Sequence, residues 1–440
     1  MSPHSTSLYA TPDIKHIQLS YDNNDSDATA LKLVFALIPT WEHDEGQVHV
    51  IHFTDGITNT LLKAEKRRPG YTEEQVDNEA ILLRAYGKGT DVLIDRERET
   101  ISHSLLAQHD LAPPLLARFQ NGLLYKFVRG QVCTPEDLRR EPIWRGVARN
   151  LGEWHGVLPV TSAGESDGEA TSNLKAETAA RKIKESPRSR KINSITPTRT
   201  IPIPTLWTVL QKWILALPAA TGADRKRREM LQEELDRTIV EFGNTPGLGD
   251  DGLILGHCDL LSGNVIIRPH DDKADGVVTP VSFIDYEYTT PVPAAFDIAN
   301  HFAEWGGFAC DYNVLPTRSQ RRAFITEYLR SYSEVADPAS FPRLSDTTST
   351  VKNPAGSEAS LRAYARQLHR DVDDFRGLPG FYWGIWALIQ ATISQIDFDY
   401  ASYAELRLAE YFDWRAEQDG SRASRGEVMP LRERRWAQEE

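Results

Sequence analysis

The chain has 440 residues, 40% hydrophobic and 26% charged, which is ample for real cores and more length than one domain usually holds. A formal net charge of −13 argues against nucleic acid or an anionic membrane as a bulk partner, though not against an anionic nucleotide bound locally by cations and backbone amides. Three cysteines fit no zinc or disulfide framework, the start carries no signal sequence, and the apolar stretch from Leu31 to Trp41 is too short to span a bilayer. A cytoplasmic protein without an integral membrane segment is expected.

Residues 1–30 are largely polar and rich in Asp, Asn and Ser, and read as a flexible N-terminus. From Leu31 a helix or buried segment leads to an alternating, strand-like run at 48–53, a turn at 54–60 and a return strand at 61–64. A charged tract at 65–78 precedes strand 80–86, helix 95–108 and strand 123–128, closed by Gly130. Residues 31–130 thus make a small lobe of strands with one helix. The remainder, 131–414, is mainly helical. Trp144, Val147, Leu151 and Trp154 recur at helical spacing, as do Trp207, Leu210, Ile214 and Leu217, and all eight read as core. Residues 161–200 and 336–360 are poor in large apolar side chains and read as flexible inserts, and 415–440 as a charged tail.

The chemistry concentrates in His257-Cys258-Asp259-Leu260-Leu261-Ser262-Gly263-Asn264. This is the H-R-D-L-x-x-x-N pattern of a kinase catalytic loop, with Cys258 in the Arg position. Asp259 is placed to accept the proton of a substrate hydroxyl, and Asn264 can offer an amide oxygen to Mg²⁺. Such a string alone could be a capped turn. Short apolar segments on both sides, and Asp285 about 20 residues on at the end of an apolar run, favour phosphoryl transfer. Glu287 projects to the same side as Asp285 on an extended segment and could reach the metal through water. His257 is expected to structure the loop; Asp297 and Asn300 read as capping and bracing a helix, with Asp297 also steadying the loop as it does in kinase-like folds.

Further on, Phe283 to Tyr288, Ala295 to Trp305, Phe381 to Gln390 with its W-G-x-W core, and Ile396 to Tyr400 follow in order. This text resembles the choline/ethanolamine kinases from about Thr54 to Trp414. The resemblance implies an α+β, protein-kinase-like two-lobed fold with a small mixed β/α N-lobe and a larger, mainly helical C-lobe. It implies ATP as co-substrate and Mg²⁺ as cofactor. Arg84 stands where the family has an Arg in place of the kinase strand Lys, and Glu99 where kinases place its ion-pairing Glu; Gly56, Thr58 and Asn59 would cover the phosphates. Trp383, Trp386 and Tyr403 would wall an amine pocket, with Glu304 as its anionic partner. Cys258, where the family usually has Asn, and Asp55, where it usually has Gly, depart from the pattern.

The stretch after Trp305 looks more like the ethanolamine-directed members, of a eukaryotic, fungal type. The expected activity is therefore phosphorylation of ethanolamine to phosphoethanolamine, opening the CDP-ethanolamine route to phosphatidylethanolamine. The alternatives are a choline or dual kinase, an aminoglycoside or sugar kinase on the same fold and, most remote, an inactive nucleotide-binding regulator. Oligomeric state is left open, a homodimer included.

Overall fold

The computed structural model describes residues 14–53, 59–87, 89–158, 160, 205–269, 278–342, 358–394 and 396–440. A six-stranded sheet dominates the first part, in the order β1-β5-β6-β4-β3-β2, with β1 Lys15–Ile17, β2 Gln47–Phe53, β3 Asn59–Arg67, β4 Ile81–Tyr86, β5 Leu115–Phe119 and β6 Gly122–Lys126. Every pairing is antiparallel except β1 with β5.

The alternation of β4 divides its side chains between two faces. Ile81, Leu83 and Ala85 pack with Leu33 and Val34 of the helix Ser26–Leu37. Leu82 joins Leu123 and Tyr125 on the opposite face, from which Arg84 also projects. The helix Arg96–Gln108, capped at its start by the Asp95 carboxylate on the Arg98 N–H, lies on that side.

After Gly130 the chain is mostly helical around three small ladders. In these, β8 Ile254–Gly256 pairs with β11 Thr290–Val292, and β9 Val265–Ile267 joins β10 Val281–Phe283 and β7 Gln131–Val132. Helices Glu141–Val157 and Arg318–Val335 pack together, as do Leu378–Ile393 and Tyr400–Gln418. One continuous core runs through this lobe and includes the eight helical-spacing residues read as core.

Two ends of the chain are more ordered than their composition suggests. The expected flexible segment 1–30 holds β1, and the helix from Ser26 begins before residue 31. Tyr21 donates its backbone N–H to Asn121 Oδ1 at 2.9 Å, so this polar segment is fixed by the β5–β6 hairpin 100 residues away. At the other end, the helix Leu431–Ala437 buries Trp436, whose ring lies 4.1 Å from the Arg321 guanidinium and whose Nε1 donates to Asp373 Oδ1 at 2.7 Å. Residues 338–340 of the second expected insert form a short 3₁₀ turn. The expected insert 161–200, most of 336–360, and Asp55, Gly56 and Thr58 lie outside the described residues.

Candidate active site

Strand register assembles the catalytic loop. Pairing of Gly256 with Thr290 and of Val265 with Phe283 brackets residues 257–264, and the Ile284 N–H donates to Asn264 O at 3.0 Å. Asp285 therefore emerges beside Asn264. Asp297 braces the loop from below, accepting the backbone N–H groups of His257 (2.9 Å) and Cys258 (2.7 Å) and a contact from His155 Nε2 at 3.0 Å. Only glycine permits this approach at position 256, because a Cβ there would meet Val292 at 2.4 Å and the Asp297 carboxyl carbon at 3.1 Å. Asn300 Nδ2 donates to Cys258 O at 2.9 Å, and His257 contacts Ile284 O at 3.1 Å. His257 and Asp297 thus hold the loop as expected, and Asn300, read only as bracing a helix, holds it as well.

Cys258 occupies a left-handed conformation (φ 63°), a region where Asn is enriched among non-glycine residues. Its thiol is buried, turned toward Thr290 O at 3.9 Å, so it does not touch Asp259. Asp259 is positioned instead by Asn264, whose Nδ2 donates to its backbone O (2.8 Å) and to Oδ2 (3.2 Å). That leaves the Asn264 amide oxygen available as an acceptor.

The phosphate side is an ion-pair cluster. Arg84 lies 3.1 Å from Glu99 Oε1 and 2.7 Å from Asp285 Oδ1, and also pairs with Glu287. Arg96, which sequence reading did not single out, bridges Glu99 and Glu287 at 3.1 Å each and stacks on Tyr86 at 3.9 Å. Asn59 Nδ2 also donates to Glu287 at 3.1 Å. Glu287, read as a water-mediated metal partner, is thus held by two arginines and an asparagine. Three carboxylates face two guanidiniums here, and Asp259 adds a fourth negative charge.

Burial, with this surplus adding to it, disfavours the charged forms of the carboxyl groups. Burial pushes Asp285 up to about 7, with Arg84 opposing, and burial followed by the charges of Asp285, Glu304 and Glu287 holds Asp259 well above the usual carboxylate range. The site lacks positive charge. Asp285 Oδ1 is buried with no hydrogen-bond partner among the described residues, despite its ion-pair contact with Arg84. An octahedral, mostly water- and phosphate-bound Mg²⁺ requires only one or two protein carboxylate or amide oxygens. Asp285 and Asn264 fit that demand, although among the described residues no three His, Cys, Asp or Glu side chains converge as a metal cage.

The amine side is aromatic. Trp383 and Trp386 are edge-to-face at 5.4 Å on the helix Leu378–Ile393, and Tyr288, missed in the sequence reading, stands 5.8 Å from Trp383. The indole N–H groups are tied back, Trp383 to Asn300 Oδ1 (2.8 Å) and Trp386 to Tyr288 OH (2.7 Å). Phe308, also missed, lies 6.2 Å from Tyr403. Gly384, between the two tryptophans, lets the helix carrying Tyr403 approach, since a Cβ there would meet Leu408 Cγ at 2.7 Å. Glu304 is buried among these rings. Its pKa is raised by burial, with Arg407 opposing, and its Oε1 accepts no hydrogen bond among the described residues.

One cavity of about 300 Å³ joins both sides. Asn59, Arg84, Asp259, Asn264, Asp285, Glu304, Trp383, Trp386 and Tyr403 all line it, while Glu99 and Glu287 support it from behind through Arg84. An apolar shelf of Leu82, Phe127, Val132 and Ile266 beside Gly130 suits a flat heterocycle at the junction of the lobes.

The family model described as choline/ethanolamine kinase matches residues 50–412. The chain belongs to that family. It is 30% identical over 399 residues to mouse (Mus musculus) ethanolamine kinase 2, covering 90% of this chain and 83% of that protein. It is 27% identical over 386 residues to a probable ethanolamine kinase of Arabidopsis thaliana, covering 87% and 83%. Among solved structures it resembles an ethanolamine kinase of Plasmodium vivax (TM-score 0.59, 24% identity, 89% of each chain) and a choline kinase of Cryptosporidium parvum (TM-score 0.55, 20% identity, 90% and 97%). These likenesses bear out the kinase-like two-lobed fold of this family member.

Proposed function

We propose that the protein transfers the terminal phosphoryl group of ATP to the hydroxyl of ethanolamine, forming phosphoethanolamine. The observation that carries this reading is the single cavity in which Asp259, Asn264 and Asp285 share space with Glu304 and the aromatic wall. Ethanolamine kinases among its relatives support the choice of amine.

Phosphoryl transfer is chiefly a matter of position and charge. The Asp259 carboxylate, steadied by Asn264, takes the hydroxyl proton as the oxygen attacks phosphorus. Asn264 and Asp285 would hold Mg²⁺, which draws the phosphates into line and offsets their charge. Arg84, kept in place by Glu99, faces the phosphates as a fork of N–H donors. Asn59, which lines the cavity beside Arg84, adds a side-chain amide to that side.

At the far end the Glu304 carboxylate receives the ammonium, and the ring faces of Trp383, Trp386 and Tyr403 surround its carbon atoms. Because the indole N–H groups are engaged elsewhere, the two tryptophans offer π-faces and no competing N–H donors. A primary ammonium brings three N–H donors to the carboxylate and its surroundings, whereas the trimethylammonium of choline brings none.

Among the described residues no helix is long and apolar enough to cross a membrane, and all three cysteines are buried and unpaired. This supports a reducing, cytoplasmic setting at the start of phosphatidylethanolamine synthesis. The test is ATP consumption with ethanolamine, with choline and with no acceptor. Consumption stimulated most by ethanolamine is expected, while ATP turnover indifferent to either amine would overturn the reading.

A further inference from the structure

Behind Glu304 lies a buried row of charges that the mechanism does not use. The helix Tyr400–Gln418 places Tyr403, Arg407 and Glu410 along one stripe. The Arg407 guanidinium is 1% exposed; its Nη2 lies 3.7 Å from Glu304 Oε1 and its Nε 3.4 Å from Glu410 Oε2, while Nη1 rests 3.6 Å from the Cys310 sulfur. Neither ion pair is a hydrogen bond: Arg407 Nε and Nη2, Glu304 Oε1 and Glu410 Oε2 all lack hydrogen-bond partners among the described residues. Beyond Glu410, at 4.0 Å, comes Arg432 of the C-terminal helix, already paired with Glu433 at 3.1 Å.

A buried guanidinium beside an ammonium site should repel the substrate and capture the carboxylate meant for it. Here the guanidinium sits between two carboxylates and closes on neither. Glu410 balances its charge from the side away from the cavity. Arg432 does not claim Glu410 in turn, because Glu433 meets Arg432 more closely. Glu304 therefore lines the cavity, with its Oε1, on the side of Arg407, still free of a hydrogen bond among the described residues.

We propose that Glu410, which never touches substrate, is a positioning residue that sets affinity for the amine by holding Arg407 off Glu304. The inference rests on the reading of Glu304 as the ammonium partner. Without the Glu410 charge, the nearest carboxylate left to Arg407 is Glu304, and the 3.7 Å gap closes into a charge-assisted pair that competes with ethanolamine.

Steady-state kinetics on the full chain, with thermal melts as the check on folding, test this. Glu410→Gln should raise the ethanolamine KM roughly tenfold or more, with kcat falling less and the ATP KM unmoved. Adding Arg407→Met to Glu410→Gln should recover most of that rise, since the competing cation is gone and a matched neutral pair is better tolerated than half an ion pair. A merely structural role makes the double variant worse than the single. Glu410→Asp, which keeps the charge but withdraws it by one methylene, should give a smaller KM rise and serves if Glu410→Gln does not fold. An unmoved ethanolamine KM in a folded Glu410 variant, or a double variant no better than Glu410→Gln, overturns the inference alone. A wild type inactive on ethanolamine removes the proposed function, and this inference with it.

Discussion

The two ends of the cavity solve opposite electrostatic problems with different materials. At the phosphate end, charged side chains hold one another: Arg84 alone meets Glu99, Asp285 and Glu287, and Arg96 ties two of these together. At the aromatic end, rings hold rings, and one carboxyl group, Glu304, lines the cavity among them. The first arrangement leaves a negative surplus to be completed by a metal and its nucleotide. The second is complete except for one acceptor. Loss of a phosphate-side group should therefore spread to its partners, whereas loss of an amine-side group should act on the amine alone.

The largest effect should come at the junction of the two ends. Asp259→Asn removes the proton acceptor while keeping its shape, and kcat should fall by about 10²–10⁴ with ATP binding retained. Near-normal turnover would remove the general-base role. Next, Asp285→Ala should weaken Mg·ATP binding and turnover together, seen as a raised ATP KM and a lowered kcat, because it takes a metal oxygen and one of Arg84's partners at once.

On the amine side the effects should be smaller and selective. Glu304→Gln should cost ethanolamine kcat/KM about 1–3 kcal/mol, the range for a hydrogen bond to a charged group, and choline less. Equal losses on both amines would break the contrast between the ends. Trp383→Phe should reduce kcat/KM by about 0.5–2 kcal/mol, for choline at least as much as for ethanolamine, through the weaker cation–π face. Smallest of all, Cys258→Asn should leave turnover close to wild type, because the thiol faces Thr290 and the backbone is held by Asp297 and Asn300. A large loss of kcat there would show that the side chain does position Asp259.

The phosphate end was the more legible in sequence. Asp259, Asn264 and Asp285 lie within about 30 residues, on a loop whose flanking apolar runs announce short strands, and the alternation of β4 points Arg84 toward the cavity. Glu99 follows from a capped helix start four residues earlier. What stayed hidden depends on contacts that no local pattern encodes. Arg96 looks like any surface charge until the helix docks on the Glu287 segment. Tyr288 stands inside the quoted Phe283-to-Tyr288 text, but its link to Trp386 spans 98 residues, and Arg407 meets Glu304 only because Gly380 and Gly384 let two helices close up. The polar start and charged tail misled for the same reason: their order comes from pairing with β5 and from Trp436 against Arg321, distant in sequence both times.

Selection of a primary ammonium by this cavity is open to direct measurement. The direct measurement is a competition: wild-type protein with limiting Mg·ATP and equal ethanolamine and choline, the products resolved by phosphorus NMR. Phosphoethanolamine should dominate. A mixture led by phosphocholine would contradict the account.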